Sequence, residues 1–357
     1  MKLPHVCFVN SVRPLGGAEI WMLDAARGLQ ERGHRVSFVA QPDGQLFLRA
    51  RRNGFPTRGI PIRFDGAPWT LARLYRHFRH DGVDALYCNL TKDLKAAGVA
   101  GRMAGVRVIL ASRESDFPLK QKLYYRWYFN QIASGIVVNS EATRRTVLDS
   151  VPWLAPPRVH LLYKGVDLDR FHPAGVPPAV PTVGFVGQLV ARKGLLEVMT
   201  AWEQLEREDL SPRPRLRLAG EGEWHGRLQS WRRSLRNPDL VEIHGFVEEI
   251  AEFLGGLSFL IMPSRAEGFG LAAAEASACG IPVIAADASS LPEVVHHERT
   301  GILIPPRNAG ALAGAIRRLL AEPDLCSQLG RQGRQLMKEQ FNREIMLDRL
   351  QKLVGGY

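Results

Sequence analysis

The chain has 357 residues, 45% of them hydrophobic and 23% charged, a globular balance long enough for one large domain or two ordinary ones. No apolar run approaches the roughly 18–20 residues that cross a bilayer, and MKLPHVCFVN leads into a strand-like stretch rather than a secretory pattern. Cys7, Cys88, Cys279 and Cys326 lack CxxC spacing, so reduced thiols and a cytosolic location are expected. The net charge of +11 is lopsided. Residues 1–170 hold 26 Lys+Arg and 14 Asp+Glu, or +12, and residues 171–357 hold 21 and 22, or −1. An acidic partner is therefore expected to face the N-terminal half.

The first half alternates strand-like and helical runs. The strands are 5–10 (HVCFVN), 35–40 (RVSFVA), 85–90 (ALYCNL), 107–112 (RVILAS), 135–140 (GIVVNS) and 158–163 (RVHLLY). Between the first two, Met22, Ala25, Ala26 and Leu29 recur at i, i+3, i+4, i+7, which predicts a helix over 18–32 ended by Gly33. Residues 164–182, with four prolines and two glycines, read as a linker. A second series follows at 182–189, 215–220, 241–246, 257–263, 282–286 and 301–305, and a helical tail covers about 323–357. Short apolar strands alternating with helices imply covered parallel sheets. The fold class expected is α/β, with two Rossmann-like doubly wound domains and a cleft at their strand C-terminal ends.

Several motifs sit where strands end. Gly16 and Gly17 lie in a strand-to-helix turn, which lets backbone approach a phosphate or simply makes an ordinary turn. Residues 112–118 (SRESDFP) place Arg113, Glu114 and Asp116 after the fourth strand, as a site or as a self-paired cluster. In 119–131 (LKQKLYYRWYFNQ), Lys120, Lys122 and Arg126 interleave with Tyr124, Tyr125, Trp127, Tyr128 and Phe129. That mixture fits contact with an anionic membrane surface, base stacking, or plain packing with snorkelling cations. No recognised nucleic-acid module accompanies it, so no nucleic-acid partner is expected. Asp167-Leu168-Asp169 imitates a D-x-D metal motif. Arg192 and Lys193 follow the strand at 182–189 and suit a diphosphate, one as a fork and one as a compact charge. LAGEGEWHG (218–226) lacks dinucleotide-fingerprint spacing. No HExxH, GxxxxGK[ST] or GxSxG pattern occurs, which argues against zinc-protease, P-loop and serine-hydrolase chemistry.

The most telling stretch is 264–287, SRAEGFGLAAAEASACGIPVIAAD. An apolar strand, the turn Gly268-Phe269-Gly270 and an alanine-rich helix put free N–H groups at a helix N-terminus. Glu267 stands at its mouth and Glu275 a little over two turns further on, about 12 Å along the axis at about 1.5 Å per residue.

With its E-x7-E spacing, this segment resembles the donor site of retaining GT-B glycosyltransferases of family GT4. The likeness extends from Gly16 to about Val354. It implies a metal-independent transfer of a sugar from a nucleoside diphosphate sugar to an acceptor hydroxyl, without a cofactor. It further implies that Lys193, Arg192 and Glu267 act in catalysis, Glu267 on the donor sugar. Gly16, Gly17, Phe246, Val247, Phe269, Gly270, Leu271 and Glu275 would line the donor, Glu275 at the ribose. Arg113, Glu114 and Asp116 would meet acceptor or sugar, although a His that several members carry there is absent. Gln188 stands where many members have Arg. The implied domains are 1–170 (acceptor side), 171–337 (donor side) and a helix in 338–357 packing back on the first. The charge and aromatics of the first half suggest a lipid-linked saccharide or lipopolysaccharide acceptor at the cytosolic face of a membrane. A soluble acceptor, or a catalytically idle subunit of this fold, is the alternative.

Overall fold

The structure is a computed structural model that describes residues 3–62, 67–176 and 178–356; Pro177 of the expected linker and the terminal Tyr357 lie outside them. The chain forms two compact units, Met1–Lys164 with Glu344–Tyr357, and Gly165–Arg343.

The strands of the first unit are β1 (Val6–Asn10), β2 (Val36–Ala40), β3 (Thr57–Gly59), β4 (Ala85–Cys88), β5 (Val108–Arg113), β6 (Gly135–Val138) and β7 (Val159–Leu161). All pair in parallel in the order 3-2-1-4-5-6-7. Alternation along each strand sends side chains to opposite faces. Val6, Phe8, Tyr87 and Leu110 enter one buried cluster, while Cys7, Val9, Leu86 and Ile109 enter another. Both faces are thus covered, as a parallel sheet requires. The first of these clusters includes Met22, Ala25, Ala26 and Leu29 of the helix Gly17–Glu31, together with Met346, Leu347, Leu350, Leu353 and Val354 of the helix Arg343–Gly355.

The second unit holds β8 (Thr182–Val186), β9 (Arg215–Ala219), β10 (Val241–His244), β11 (Phe259–Met262), β12 (Val283–Ala286) and β13 (Gly301–Ile304). They form a second parallel sheet in the order 10-9-8-11-12-13. The chain therefore has the two doubly wound α/β domains that its sequence pattern implies.

Three details differ from the sequence reading. β3 was not expected, because Thr-Arg-Gly carries no apolar run. It is an edge strand, held by pairing with Phe38, Val39 and Ala40 of β2. The unit boundary falls at 164/165 rather than 170/171. Val166 N–H donates to Phe341 O and Val166 O accepts from Arg343 N–H, while Phe171 is buried and its carbonyl accepts from Arg334. The terminal segment returns to the first unit at Glu344 rather than 338, since residues 338–340 finish the preceding helix Pro323–Gln340.

Leu350 is wholly buried in the cluster that the terminal helix shares with the first sheet. Leu350→Ala is expected to cost about 2–5 kcal/mol, read as a lower urea midpoint. A midpoint equal to wild type would mean the helix is not part of that core.

Candidate functional site

β8 and β11 are neighbours, and the loops leaving their C-terminal ends carry Lys193 and Glu267. Lys193 Nζ donates to Glu267 Oε1 at 2.5 Å, with only 11% and 9% of the two side chains exposed. The β8 loop makes a single 3-10 turn, Ala191–Lys193, before the helix Leu195–Leu205. Gly194 joins them at φ +75°, and a Cβ there would stand 2.2 Å from the Pro263 carbonyl oxygen. Only glycine lets the two loops approach this closely. Arg265 reinforces the junction. Its N–H donates to Arg192 O, and its guanidinium reaches the buried Glu197 at 2.8 Å.

Arg192 and Gln188 meet each other: Arg192 Nη2 donates to Gln188 Oε1 at 3.0 Å, and its Nη1 points to Ala266 O at 3.4 Å. The departure at Gln188 thus leaves Arg192 fixed at the rim of the Lys193–Glu267 pair.

The Glu267 backbone is clamped by two residues the sequence reading did not single out. Ser289 Oγ accepts from Glu267 N–H at 3.2 Å and donates to Glu267 O at 2.5 Å. Ser290 Oγ donates to the same carbonyl at 3.0 Å. Ser289 sits at φ +56°, a conformation that non-glycine residues hold only when surroundings impose it. The one sequence signal available was a Ser-Ser pair directly before Leu-Pro-Glu. Past Glu267, the helix Leu271–Ala278 starts at Gly270, and Glu275 lies half-buried in its second turn. Phe269 turns into the core instead, its ring 5.5 Å from that of Phe341. Only its backbone is left for a ligand.

Phe246, at the end of β10, is 45% exposed, and Val247 is half-buried beside it. Core packing is thereby excluded for Phe246. The glycines of 218–226 serve a local purpose. A Cβ on Gly220 would stand 1.9 Å from Gly187 O, and one on Gly222 would stand 2.4 Å from Leu189 O. They let the β9 loop lie against the β8 loop, and Leu189 N–H donates to Glu221 O.

In the first unit, Gly16 precedes the helix Gly17–Glu31. Glu19 bonds the Gly16 N–H through Oε2 and the Asn10 amide through Oε1, at 2.9 and 2.8 Å. Its carboxylate therefore holds the glycine turn rather than a ligand. Arg113, Glu114 and Asp116 do not pair with one another. Glu114 belongs to a buried chain, in which Tyr87 Oη donates to Ser112 Oγ (3.1 Å), Ser112 Oγ to Glu114 Oε1 (3.4 Å) and Lys164 Nζ to Glu114 Oε2 (2.7 Å). Lys164 also lies 5.2 Å above the Trp21 ring. Sequence alone did not link it to Glu114, since fifty positions separate the two. Asp116 is half-buried. Asp167 Oδ1 accepts the N–H groups of Asp169 and Arg170, a turn rather than a ligand set. Among the described residues no group of three or more His, Cys, Asp or Glu is arranged to hold a metal.

The Lys193–Glu267 pair carries a stability prediction. Removing one partner of a buried pair strands the other charge, so Lys193→Met is expected to cost about 3–5 kcal/mol. Adding Glu267→Gln removes that charge and recovers most of the loss. Equal denaturation midpoints for the single and double variants would sink this account of the pair.

Comparison with known proteins fits this geometry. The sequence family described as Glycosyltransferase Family 4 matches residues 15–170, and Glycosyl transferases group 1 matches 171–336. A D-inositol 3-phosphate glycosyltransferase of Streptomyces bingchenggensis is 34% identical over 194 residues, 49% of this chain and 43% of that protein. The putative colanic acid biosynthesis glycosyltransferase WcaL of Escherichia coli is 31% identical over 204 residues, 53% and 49% of the two chains. The chain thus spans about half the length of the curated relatives it matches. Anabaena HepE, solved in complex with UDP and glucose, superimposes with a TM-score of 0.85 at 18% identity, covering 99% of this chain and all of that one; the likeness establishes the fold. The two family matches meet end to end, and both sheets have the expected architecture: the chain belongs to glycosyltransferase family 4, with the GT-B fold.

Proposed function

We propose that the protein is a retaining glycosyltransferase that moves a sugar from a nucleoside diphosphate sugar to an acceptor hydroxyl. The observation that carries this reading is the buried Lys193–Glu267 pair at the mouth of β8 and β11, beside the helix N-terminus at Leu271. As the bond from the sugar C1 to the diphosphate loosens, negative charge grows on the leaving phosphate. Lys193, Arg192 and the amides at Gly270 and Leu271 are the groups to meet it, which is preorganised electrostatic stabilisation. Glu267, drawn against Lys193 in this state, turns to the sugar once phosphate takes up the lysine. Glu275 holds the ribose, and exposed Phe246 with Val247 borders the base. The leaving phosphate oxygen takes the acceptor proton, so the reaction needs no protein base and no metal.

UDP is the first nucleotide to try, because HepE was solved with it. The acceptor we favour is a lipid-linked saccharide or a cell-surface polysaccharide precursor. A relative named for colanic acid biosynthesis supports that class, as does the surface of the first unit. Leu123 is 86% and Trp127 47% exposed, one turn apart on Leu123–Trp127, with Lys120, Lys122 and Arg126 around them. Apolar tips ringed by cations suit an anionic bilayer surface. No helix among the described residues is long and apolar enough to cross a membrane.

A thermal-shift screen with UDP, GDP, ADP, CMP and their sugar conjugates, with magnesium and with EDTA, tests the donor reading. One nucleotide diphosphate is expected to raise the melting temperature in either condition. With that donor, Lys193→Ala is expected to lower kcat about 10²–10³-fold, and Glu275→Ala to weaken donor binding about tenfold. Unchanged turnover in the Lys193 variant would refute its role. For the membrane contact, Leu123→Glu/Trp127→Glu is expected to abolish co-sedimentation with phosphatidylglycerol vesicles. Equal pelleting of variant and wild type argues against it.

A further inference from the structure

Two serines at the C-terminal edge of the second sheet give up their local roles for the same distant residue. Ser289 follows β12, whose neighbour β11 leads into the loop that carries Glu267. Its φ of +56° is one that glycine adopts freely and serine adopts under strain. What serine adds over glycine there is a hydroxyl. Both hydrogen bonds of that hydroxyl go to Glu267: it accepts from the N–H at 3.2 Å and donates to the carbonyl at 2.5 Å.

Ser290 stands directly before the helix Leu291–Val294, where a serine hydroxyl ordinarily accepts from the first free N–H groups. It makes no such cap here. Wholly buried, it donates instead to the Glu267 carbonyl at 3.0 Å. The two hydroxyls thus engage both backbone polar groups of Glu267, while its carboxylate faces Lys193 at 2.5 Å. A backbone held in this way is a fixed pivot for a side chain that changes partner. Strained residues persist where their surroundings over-determine them, and they gather at sites whose geometry matters. A reacting group misplaced by about 1 Å can cost about 10²-fold in rate.

We propose that Ser289, supported by Ser290, is a positioning residue for Glu267. It holds the Glu267 backbone so that the carboxylate reaches the donor sugar when it leaves Lys193. This role rests on the transferase reading above, in which Glu267 meets that sugar. Neither serine touches substrate in this role; both act through Glu267. The strain at Ser289 is then the cost of placing a hydroxyl where the backbone alone favours glycine.

The test is isothermal titration of the full chain, with melting temperatures measured alongside. The ligands are UDP and UDP-glucose, or whichever nucleotide and sugar conjugate shift the melting temperature in the screen above. Ser289→Ala and Ser289→Gly both lack the hydroxyl, but only alanine keeps a Cβ in the strained conformation, so Ser289→Ala is expected to melt below Ser289→Gly. Both are nonetheless expected to bind the sugar conjugate about tenfold more weakly than wild type and the bare nucleotide as wild type does. In a Glu267→Ala background, Ser289→Gly is expected to change neither affinity, because the group it positions is gone. A purely structural role gives a different pattern, in which the loss of affinity follows the melting temperature and is worse for alanine. That pattern overturns the proposal. So does sugar-conjugate binding equal to wild type, an equal loss for nucleotide and conjugate, or the same loss in the Glu267→Ala background. Wild type that binds no nucleotide and no conjugate sinks the transferase reading itself, an outcome distinct from all of these.

Discussion

The second unit is organised around keeping one lysine and one glutamate together and nearly dry. Removing both charges from water is expensive, and their attraction repays this only when the geometry is held tightly. The surrounding contacts supply that hold. Gly194 lets the β8 loop press on Pro263, Arg265 ties the Arg192 backbone and reaches Glu197, and Ser289 and Ser290 grip the Glu267 backbone. Each contact comes from a different loop at the same edge of the sheet. On the transferase reading proposed above, an incoming phosphate would offer Lys193 a second anion inside a frame that these contacts already hold.

The sheets were legible because parallel strands are short, apolar and regularly interrupted by amphipathic helices. Val6–Asn10 or Val283–Ala286 announce themselves by composition alone. β3 does not, since its three residues owe their conformation to β2 and not to their own side chains. The division of the compact units at 164/165 was not legible for a similar reason. Prolines at 173–181 draw the eye, yet the chain joins the second unit earlier, through hydrogen bonds between Val166 and the segment around Phe341 that only tertiary structure reveals.

Lys193 and Glu267, which the sequence singled out by chemistry and local spacing, are in contact in the fold. Pairings between residues remote in sequence were opaque. Glu114 was expected in a site or a self-paired cluster, and Lys164 stands against it instead; Phe269 packs its ring against Phe341. The glycines at 220 and 222 mimic a nucleotide loop but answer to the carbonyls of Gly187 and Leu189. In each case the residue type was informative and its partner was not.

The discontinuity of the first unit has a consequence for synthesis. Its sheet is complete once Leu161 has emerged, but Met346, Leu347 and Leu350, which cover one face of it, are made only after the entire second unit. Domains generally fold as they leave the ribosome. Here the second unit, a single continuous segment, is free to finish first. The first half waits meanwhile with part of an apolar face open, in need of protection by a chaperone or by transient packing of its own chain. Truncations that spare every residue of the sheet and the donor loops but remove the last helix would therefore damage the nascent protein before any chemistry could be lost.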